Sequence, residues 1–384
     1  MEQIGATWGG LAADSPRGIL PSQYIRELLN TGVIRSSAPL NDTSIQPSSI
    51  DLRLGKKGWR VPAAFMTRNG TRIADRLAEF ENTYYTLDLT KPTFLEARKM
   101  YVFELQEEVT FPKHIRARSN PKSSTGRADT FARLIVDGSR NFDFIPDGYS
   151  GKLYLLVYPI SFDIIVKEGL ALNQIRMHSH NPPKLSTEQL FAIYERHQIL
   201  YDKEGRPIPP SEHIVHDGGL HLSIDLSEPI VGYKSRKNSP PLNLLRSGHH
   251  EVHDYWEPIK RPSTGRLILD PEHFYIFKSK ELIRIPTPYA AEVIDFHSGI
   301  GEFRSHYAGF FDPGFGYGKH GELKGAAAVF EARVRDTPME VEDGQLFCKF
   351  TFEKMAAVPE IAYGVDIKSH YQGQGLRLGK HFKS

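Results

Sequence analysis

A short basic segment rich in hydroxyl groups is the first candidate for chemistry in this chain. The segment consists of Lys122, Ser123, Ser124, Thr125, Gly126 and Arg127. Hydroxyls, backbone N–H groups and a planar guanidinium are the donors that suit the oxygens of a polyphosphate. A solvated polar turn is the alternative interpretation of the same residues. The composition therefore indicates either an anion-binding loop or an ordinary exposed turn.

One acidic residue interrupts an apolar run in the last quarter of the chain. Glu331 is the acid, and its neighbours are Ala328, Val329, Phe330, Ala332 and Val334. This pattern is typical of a β-strand, and burial among such residues suits a carboxyl group to general-base chemistry. A glutamate on the solvated face of a half-buried strand is the alternative.

A turn upstream of that strand supplies a second carboxylate. The residues Asp312, Pro313, Gly314 and Phe315 predict a tight bend. We expect Asp312 and Glu331 to lie on neighbouring strands of one hairpin and to line the same pocket.

The elements that position these groups occur twice. Residues 49–52 (Ser-Ile-Asp-Leu) return at 223–226, and a turn with Asp and Gly followed by an apolar strand occurs in both halves. Their separation of about 170 residues predicts a domain duplicated in tandem. Leu156 stands where the second copy has Glu331, and residues 297–302 replace the basic loop. Each copy is therefore expected to hold half of a site.

Length and composition bound the class of protein. A chain of 384 residues suits two domains, and its hydrophobic content of 40% is that of a globular protein. Apolar runs stay well short of the roughly 20 residues that cross a bilayer, and the N-terminus lacks the pattern of an export signal. A net charge of +2 argues against a broad surface for duplex nucleic acid.

A single cysteine, Cys348, excludes an internal disulfide and suits a reducing cytoplasm. It also excludes zinc sites built from several thiolates, including the type found in zinc-dependent nucleobase deaminases. Any base deamination by this chain is therefore expected to be independent of zinc.

Short runs of Val, Ile, Tyr and Phe between turn residues predict a mostly β fold with a few short helices. We expect Ser22 to cap a helix over residues 23–30, and a second helix over 187–201. That second helix lies in a connector, 186–215, between a first domain at 1–185 and a second at 216–384. The weakly periodic stretch 234–261 predicts a long surface loop within the second domain.

Two segments allow more than one interpretation. In the segment 249–254, the spacing of His250 and His253 is one residue short of the helical zinc-protease pattern, so a solvated loop is favoured over a metal site. The tail from Tyr363 onwards is rich in Gly, Gln and aromatic residues and ends in basic side chains, including Lys380. It predicts either a frayed terminus or a mobile arm that closes over an anionic ligand.

Several of these motifs, in this order, resemble a known family. They are residues 45–55 (Ile-Gln-Pro-Ser-Ser-Ile-Asp-Leu-Arg-Leu-Gly), the Ser-Ser-x-Gly-Arg loop, the Asp-Pro-Gly-Phe turn with its downstream strand glutamate, and the closing Tyr-Gln-Gly-Gln. Together they resemble the dCTP deaminases of the dUTPase-like superfamily, in their long duplicated form. The resemblance covers essentially the whole chain. It implies two β-clip (distorted jelly-roll) domains, three-fold assembly, and sites where the phosphate loop of one unit faces the nucleoside hairpin of another.

The resemblance also implies a role for individual residues. Glu331, Ser123 and Arg127 would be catalytic, with Glu331 as the general base. The substrate-binding residues would be Lys122, Ser124, Thr125, Gly126, Ala308, Asp312, Val329, Phe330, Tyr363, His370 and Gln374, and no residue would be a metal ligand. Lys122 and His370 depart from the family pattern, in which Arg and Lys are usual.

The function that this resemblance implies is zinc-independent, hydrolytic deamination of dCTP to dUTP and ammonia, with Mg²⁺ carried by the triphosphate. A dUTP pyrophosphatase or a bifunctional enzyme, in which Asp312 helps to activate water, is one alternative. A non-catalytic nucleotide sensor is another. The expected partners are dCTP and dUTP, with no nucleic acid or membrane, in a cytoplasmic homo-oligomer that is a trimer of duplicated chains or a dimer. Whether the site forms within one chain or between chains stays open.

Overall fold

The computed structural model describes residues 17–68, 70–180, 182–294, 303–305, 309–334, 336–366 and 371–383. Short strands joined by turns and a few helices dominate these residues, so the prediction of a mostly β fold with few short helices is confirmed. The predicted binding residues Ala308 and His370, and the segment 297–302, lie outside the described residues. No helix in the described ranges is long and apolar enough to cross a membrane.

The helices differ from the predictions at their ends. They are α1 (Ser22–Asn30), α2 (Ile73–Glu81), α3 (Ser123–Gly126), α4 (Thr187–His197) and α5 (Val252–Tyr255), with a 3-10 turn at Asp42–Ser44. Ser22 is the first residue of α1, and its hydroxyl donates to Gln23 instead of capping the helix. Helix α4 starts with a capping box between Ser186 and Gln189. It ends earlier than predicted because Gln198 adopts a left-handed conformation with φ of 47°.

Most strands of the first half belong to one sheet. They are β1 (Gly18–Ile19), β2 (Ile34–Ser36), β3 (Ile50–Val61), β4 (Thr86–Asp88), β5 (Thr93–Leu95), β6 (Met100–Thr110), β7 (Ile115–Pro121), β8 (Thr130–Ile135), β9 (Phe144–Ile145), β10 (Ser150–Pro159), β11 (Ile164–Val166) and β12 (Ala171–Ser179). The order in this sheet is β8-β10-β6-β3-β12-β7-β9, with β1 on β12, β2 on β6 and β4 on β3. Strands β5 and β11 pair outside it.

The second half forms two main sheets. Its strands are β13 (Leu200–Tyr201), β14 (Val215–His216), β15 (Gly219–Ser223), β16 (Ile230–Ser235), β17 (Leu242–Asn243), β18 (Trp256–Lys260), β19 (Arg266–Leu269), β20 (Phe274–Ile283), β21 (Tyr289–Ile294), β22 (Phe303–Ser305), β23 (Phe310–Phe311), β24 (Ala326–Val334), β25 (Met339–Glu342) and β26 (Leu346–Lys354). One sheet has the order β18-β16-β20-β24-β22, with β13 on β20, and the other has β14-β15-β26-β21-β23. Strands β19 and β25 form a separate pair.

The prediction of a long surface loop over 234–261 is wrong. This stretch contains the end of β16, then β17, α5 and all of β18, and β17 pairs in parallel with β11 of the first half. Leu242, Tyr255 and Trp256 are buried in the same apolar core as first-half residues such as Phe162. Their spacing shows no clear period because these residues pack against the other half of the chain instead of forming one face of a local element.

Corresponding strand pairs in the two halves share one register. Leu156 on β10 lies opposite Val102 on β6, and Glu331 on β24 lies opposite Ile276 on β20. Leu156 is fully buried in an apolar cluster that helix α2 covers with Ile73 and other side chains. Hydrophobic packing therefore fills, in the first half, the position at which the second half presents an acid.

Candidate active site

A cavity of about 510 Å³ lies where the two halves of the chain meet. Among the predicted residues, its walls include Lys122, Ser123, Ser124 and Arg127 from the first half, and Asp312, Val329, Glu331, Tyr363 and Gln374 from the second. The two predicted half-sites therefore come together within a single chain.

The basic segment of the first half is a single tight turn. The backbone N–H of Gly126 donates to the carbonyl of Lys122 at 3.0 Å, and that of Arg127 donates to Ser123 at 2.9 Å. This helical turn, α3, presents Ser123 and Ser124 to the cavity, whereas Thr125 is buried and lies outside the cavity wall. The ammonium of Lys122 forms an ion pair with Asp51 on β3.

Glu331 projects from the middle of β24 and is 2% exposed. Its carboxylate lies directly against Gly126, where a Cβ atom would come within 2.6 Å of Oε1 and 2.7 Å of the carboxyl carbon. The predicted strand around Glu331 is confirmed, and the absence of a side chain at Gly126 is what allows the acid to approach the α3 turn.

The C-terminal tail holds the guanidinium of Arg127. Nη2 of Arg127 donates to the side-chain oxygen of Gln374 at 3.1 Å, and Nη1 donates to the carbonyl of Arg377 at 3.0 Å. The ring of Tyr371 lies 4.2 Å from the guanidinium carbon, in a cation–π contact. Gln374 also donates to the carbonyl of Ala327 on β24 at 3.0 Å. The tail is therefore packed over the site in this structure instead of frayed.

Asp312 lies on the opposite wall and is 7% exposed. The hydroxyl of Ser48 donates to Oδ1, and the buried guanidinium of Arg176 lies 3.7 Å from the same oxygen. Burial raises the pKa of Asp312, and the positive charge of Arg176 and the hydrogen bond from Ser48 oppose that shift. These two neighbours fix the orientation of the carboxyl group toward the cavity.

The prediction that Asp312 and Glu331 share a hairpin is wrong. Asp312 follows β23, which pairs with β21, whereas Glu331 lies on β24, between β20 and β22 of the other sheet. The glycine-rich segment between them allows the chain to cross from one sheet to the other. The two acids still line one cavity because the sheets converge there.

The remaining predicted residues differ in their placement. Val329 faces the cavity with Glu331, because residues two apart on a strand share a face. The side chain of Phe330 points the other way and packs on Phe347 in the second core, with ring centroids 5.3 Å apart. Tyr363 lines the cavity and packs on Phe315 at 5.6 Å.

Sequence reasoning missed several residues of the site. They are Arg26, Ser48, Asp51, Arg176 and Tyr371. Ser48 and Asp51 lie inside the 45–55 motif, and Asp51 recurs as Asp225, which is paired with Lys278 in the second half. The repetition of this aspartate in both halves was the signal from which Asp51 could have been found in the sequence. Nothing local in the sequence connects Arg176 on β12 to a turn in the other half of the chain.

The geometry supports hydrolytic chemistry on a polyphosphate-bearing ligand. A buried carboxylate, a serine hydroxyl and a fixed guanidinium meet at one wall, and a positioned carboxyl group faces them. Such a set can accept a proton from water, donate to a developing anion and hold a hydroxyl of the ligand. Over the described ranges, no group of three or more His, Cys, Asp and Glu side chains is arranged to hold a metal ion.

Comparison with known proteins shows where this fold and site belong. Residues 16–181 match the model of the 2'-deoxycytidine 5'-triphosphate deaminase N-terminal domain, and residues 187–382 match that of the C-terminal domain of the same family. The chain belongs to the 2'-deoxycytidine 5'-triphosphate deaminase family.

A solved structure and two curated relatives agree with this assignment. The crystal structure of 2'-deoxycytidine 5'-triphosphate deaminase from Agrobacterium tumefaciens superposes with a TM-score of 0.81 at 37% identity, covering 90% of this chain and 100% of that one. A "dCTP deaminase, dUMP-forming" from Sulfurihydrogenibium sp. is 28% identical over 160 residues, or 41% of this chain and 81% of the relative. A protein of the same name from Methanobrevibacter smithii is 26% identical over 117 residues, or 30% of this chain and 56% of the relative.

Proposed function

We propose that this chain hydrolyses the exocyclic amine of dCTP, giving dUTP and ammonia. The observation that carries the proposal is the buried carboxylate of Glu331 against Gly126, with Ser123 and Arg127 in the same cavity wall. A carboxylate enclosed beside hydrogen-bond donors is suited to take a proton from water and return it to a leaving group. Membership of the deaminase family agrees with this chemistry.

In this mechanism, Glu331 accepts a proton from the water that attacks C4 of the cytosine. The C–O bond forms while the C4–N3 double bond moves its electrons onto N3, which takes up the proton from Glu331. A second proton, from the new hydroxyl, then passes through Glu331 to the amine, and the C4–N4 bond breaks to release ammonia. Ser123 orients the water, and Arg127 stabilises the negative charge that develops.

The sugar lies on the opposite wall, and the polyphosphate lies against the α3 turn. Asp312, which Ser48 and Arg176 orient, accepts a hydrogen bond from the 3'-hydroxyl of the deoxyribose. The turn from Lys122 to Arg127 donates to the phosphates, which carry Mg²⁺ into the cavity as part of the substrate. Val329 and Tyr363 provide apolar surface for the base and the sugar.

Analysis of the products tests the proposal. Purified protein is incubated with dCTP and Mg²⁺, and ammonia, dUTP, dUMP and pyrophosphate are quantified by enzymatic assay and chromatography. Equal amounts of ammonia and dUTP without pyrophosphate are expected. Binding without any turnover would instead indicate a nucleotide sensor and contradict the proposal.

A bifunctional reaction is the second candidate, because the two curated relatives are both named as dUMP-forming. In that reaction, water would also attack the α-phosphate and release pyrophosphate. Asp312 would have to help activate that water, but Ser48 and Arg176 already engage its Oδ1. These contacts suit a positioned acceptor better than a general base, so deamination alone is favoured.

We further propose that the protein works in the cytoplasm as a homo-oligomer, that its two halves arose by tandem duplication, and that neither nucleic acid nor a membrane is a partner. The shared register of the β6–β10 and β20–β24 strand pairs supports the duplication. Light scattering at several protein concentrations measures the oligomeric state.

A further inference from the structure

The end of the chain is docked on a histidine-rich segment, residues 246–251, which we call the tail dock. The backbone N–H of Gly248 donates to the carbonyl of Lys380 at 2.9 Å, and the N–H groups of His249 and His250 both donate to His381 at 3.0 Å. The backbone N–H of Lys383 donates to the carbonyl of His250 at 2.9 Å. The tail dock thus binds the C-terminus by backbone hydrogen bonds, as in strand addition.

Aromatic packing secures the same contact. Phe382 is 5% exposed, and its ring lies 5.3 Å from that of Tyr255 and 5.9 Å from that of Trp256. His250 connects the two parts, because its Nδ1 lies 3.0 Å from the hydroxyl of Tyr255. His250 is therefore a structural support for the tail, whereas His249, Glu251, His253 and Asp254 are exposed, as a solvated segment predicts.

The docked tail directs Lys380 into the cavity wall. Its backbone N–H donates to the hydroxyl of Tyr371 at 3.3 Å, and Tyr371 is the residue that lies under Arg127. Lys122, in the same wall, is already paired with Asp51. Within the part of the chain that the structure describes, no carboxylate forms an ion pair with Lys380. Asp51 is thus the acid near both lysines, and it forms its ion pair with Lys122.

This arrangement is unfavourable in the empty protein. Burial lowers the pKa of Lys380, and the nearby charge of Lys122 lowers it further, while the carboxylate of Asp51 partly opposes these shifts. An ammonium group placed in a cavity beside another lysine costs free energy unless an anion neutralises it. The anion that fits has several charged oxygens, because Lys122, Arg127 and Lys380 present donors from separate points of the wall.

We infer that Lys380 is a polyphosphate-binding residue, which the tail dock delivers into the cavity of the same chain. The inference rests on the proposed function in one respect, since the polyphosphate is taken to be that of the nucleotide. It predicts that the C-terminus contributes binding energy for the phosphates in addition to the contacts of Gln374 and Tyr371 with Arg127.

The test compares Lys380→Ala and Lys380→Arg with Lys237→Ala, which removes one positive charge from an exposed lysine near Glu272. Inorganic tripolyphosphate is titrated into each protein by calorimetry at low salt, and the KM and kcat for dCTP are measured. Lys380→Ala should weaken tripolyphosphate binding and raise the KM by about tenfold, with little change in kcat. Lys380→Arg should retain most of the affinity, and Lys237→Ala should match the wild type.

Hydrogen exchange at Gly248 and His250 shows whether the tail stays docked in Lys380→Ala. Weakened binding with unchanged exchange supports the inference, whereas equal tripolyphosphate affinity in wild type and Lys380→Ala overturns it. If exchange is faster in Lys380→Ala, the weaker binding could come from an undocked tail, and Lys380→Met is then measured. A Lys380→Met variant that stays docked and binds tripolyphosphate as tightly as the wild type also overturns the inference. Tripolyphosphate binding does not depend on deamination, so a wild-type protein that binds it but releases no ammonia contradicts only the proposed function.

Discussion

The carboxylate of Glu331 lies so close to Gly126 that a single methyl group between them would overlap it. Glu331 belongs to the second half of the chain and Gly126 to the first, so this contact joins the two half-sites. Because Gly126 sits in a helical turn that other residues adopt readily, its small size, and not its backbone freedom, is what the site requires.

We expect Gly126→Ala to reduce deamination by about tenfold or more while leaving the fold intact, because the added Cβ would displace the carboxylate of Glu331 from its position. Steady-state kinetics and thermal unfolding measure the two effects. Gly375→Ala is the matched control, since no heavy atom lies within 4 Å of a Cβ atom at that position. Equal activity in the two variants would contradict a role for the close approach.

Glu331→Gln is expected to abolish deamination while leaving nucleotide binding largely intact. The amide keeps the shape of the side chain but cannot accept the proton from water, so the loss of kcat should be roughly a hundredfold or more. Turnover is measured by ammonia release and binding by calorimetry with dCTP. Near-normal turnover would exclude Glu331 as the general base.

Acid stability should depend on Glu353, which lies on β26 and connects the two halves. Burial alone would raise the pKa of Glu353, but His178 at 3.4 Å and Arg118 at 3.8 Å help to lower it to about 2. A carboxyl group whose pKa is lower in the folded state stabilises the protein above its unfolded pKa. That contribution is lost as the pH falls from about 4.5 toward 2.

Glu353→Gln should therefore lower the free energy of unfolding at pH 7 by up to roughly 3 kcal/mol, with a smaller difference from wild type near pH 3. Denaturant titrations at both pH values measure the effect. Glu272→Gln, at an exposed position, is the control and should show little difference. A deficit of Glu353→Gln that grows on acidification would show that the assigned direction is wrong.

The sequence predicted what is local and missed what depends on contacts between the halves. The strand around Glu331 and helix α4 follow from apolar pattern and capping residues, and the structure confirms both. The pairing of β23 with β21 depends on the sheet into which the chain turns, and no local pattern reports that choice. The prediction of a hairpin containing Asp312 and Glu331 was wrong for this reason.

In the candidate site, too, the sequence predicted local features and missed contacts between the halves. Ser123 and Glu331 were identified from residue type and neighbours, and the resemblance to a family placed them in one pocket. Arg176 contacts Asp312, which lies more than a hundred residues further along the chain. Long-range contacts of this kind become visible only when the fold brings the residues together.

The last prediction concerns how many sites each chain holds. Since the first half fills the position of Glu331 with Leu156 and its apolar cluster, and since both half-sites line a single cavity, each chain should bind one nucleotide. Calorimetry with dUTP measures this stoichiometry. Two nucleotides bound per chain would contradict the half-site interpretation.

The same arrangement predicts the outcome of a mixing experiment. Arg127→Ala damages the first-half part of one cavity and Glu331→Gln the second-half part, within one chain, so neither variant can repair the other. Differently tagged variants are co-expressed, mixed oligomers are purified through both tags, and their ammonia release is compared with that of each variant alone. No gain in activity is expected. Recovery of part of the wild-type rate in doubly tagged oligomers would show instead that Arg127 of one chain completes a site with Glu331 of another.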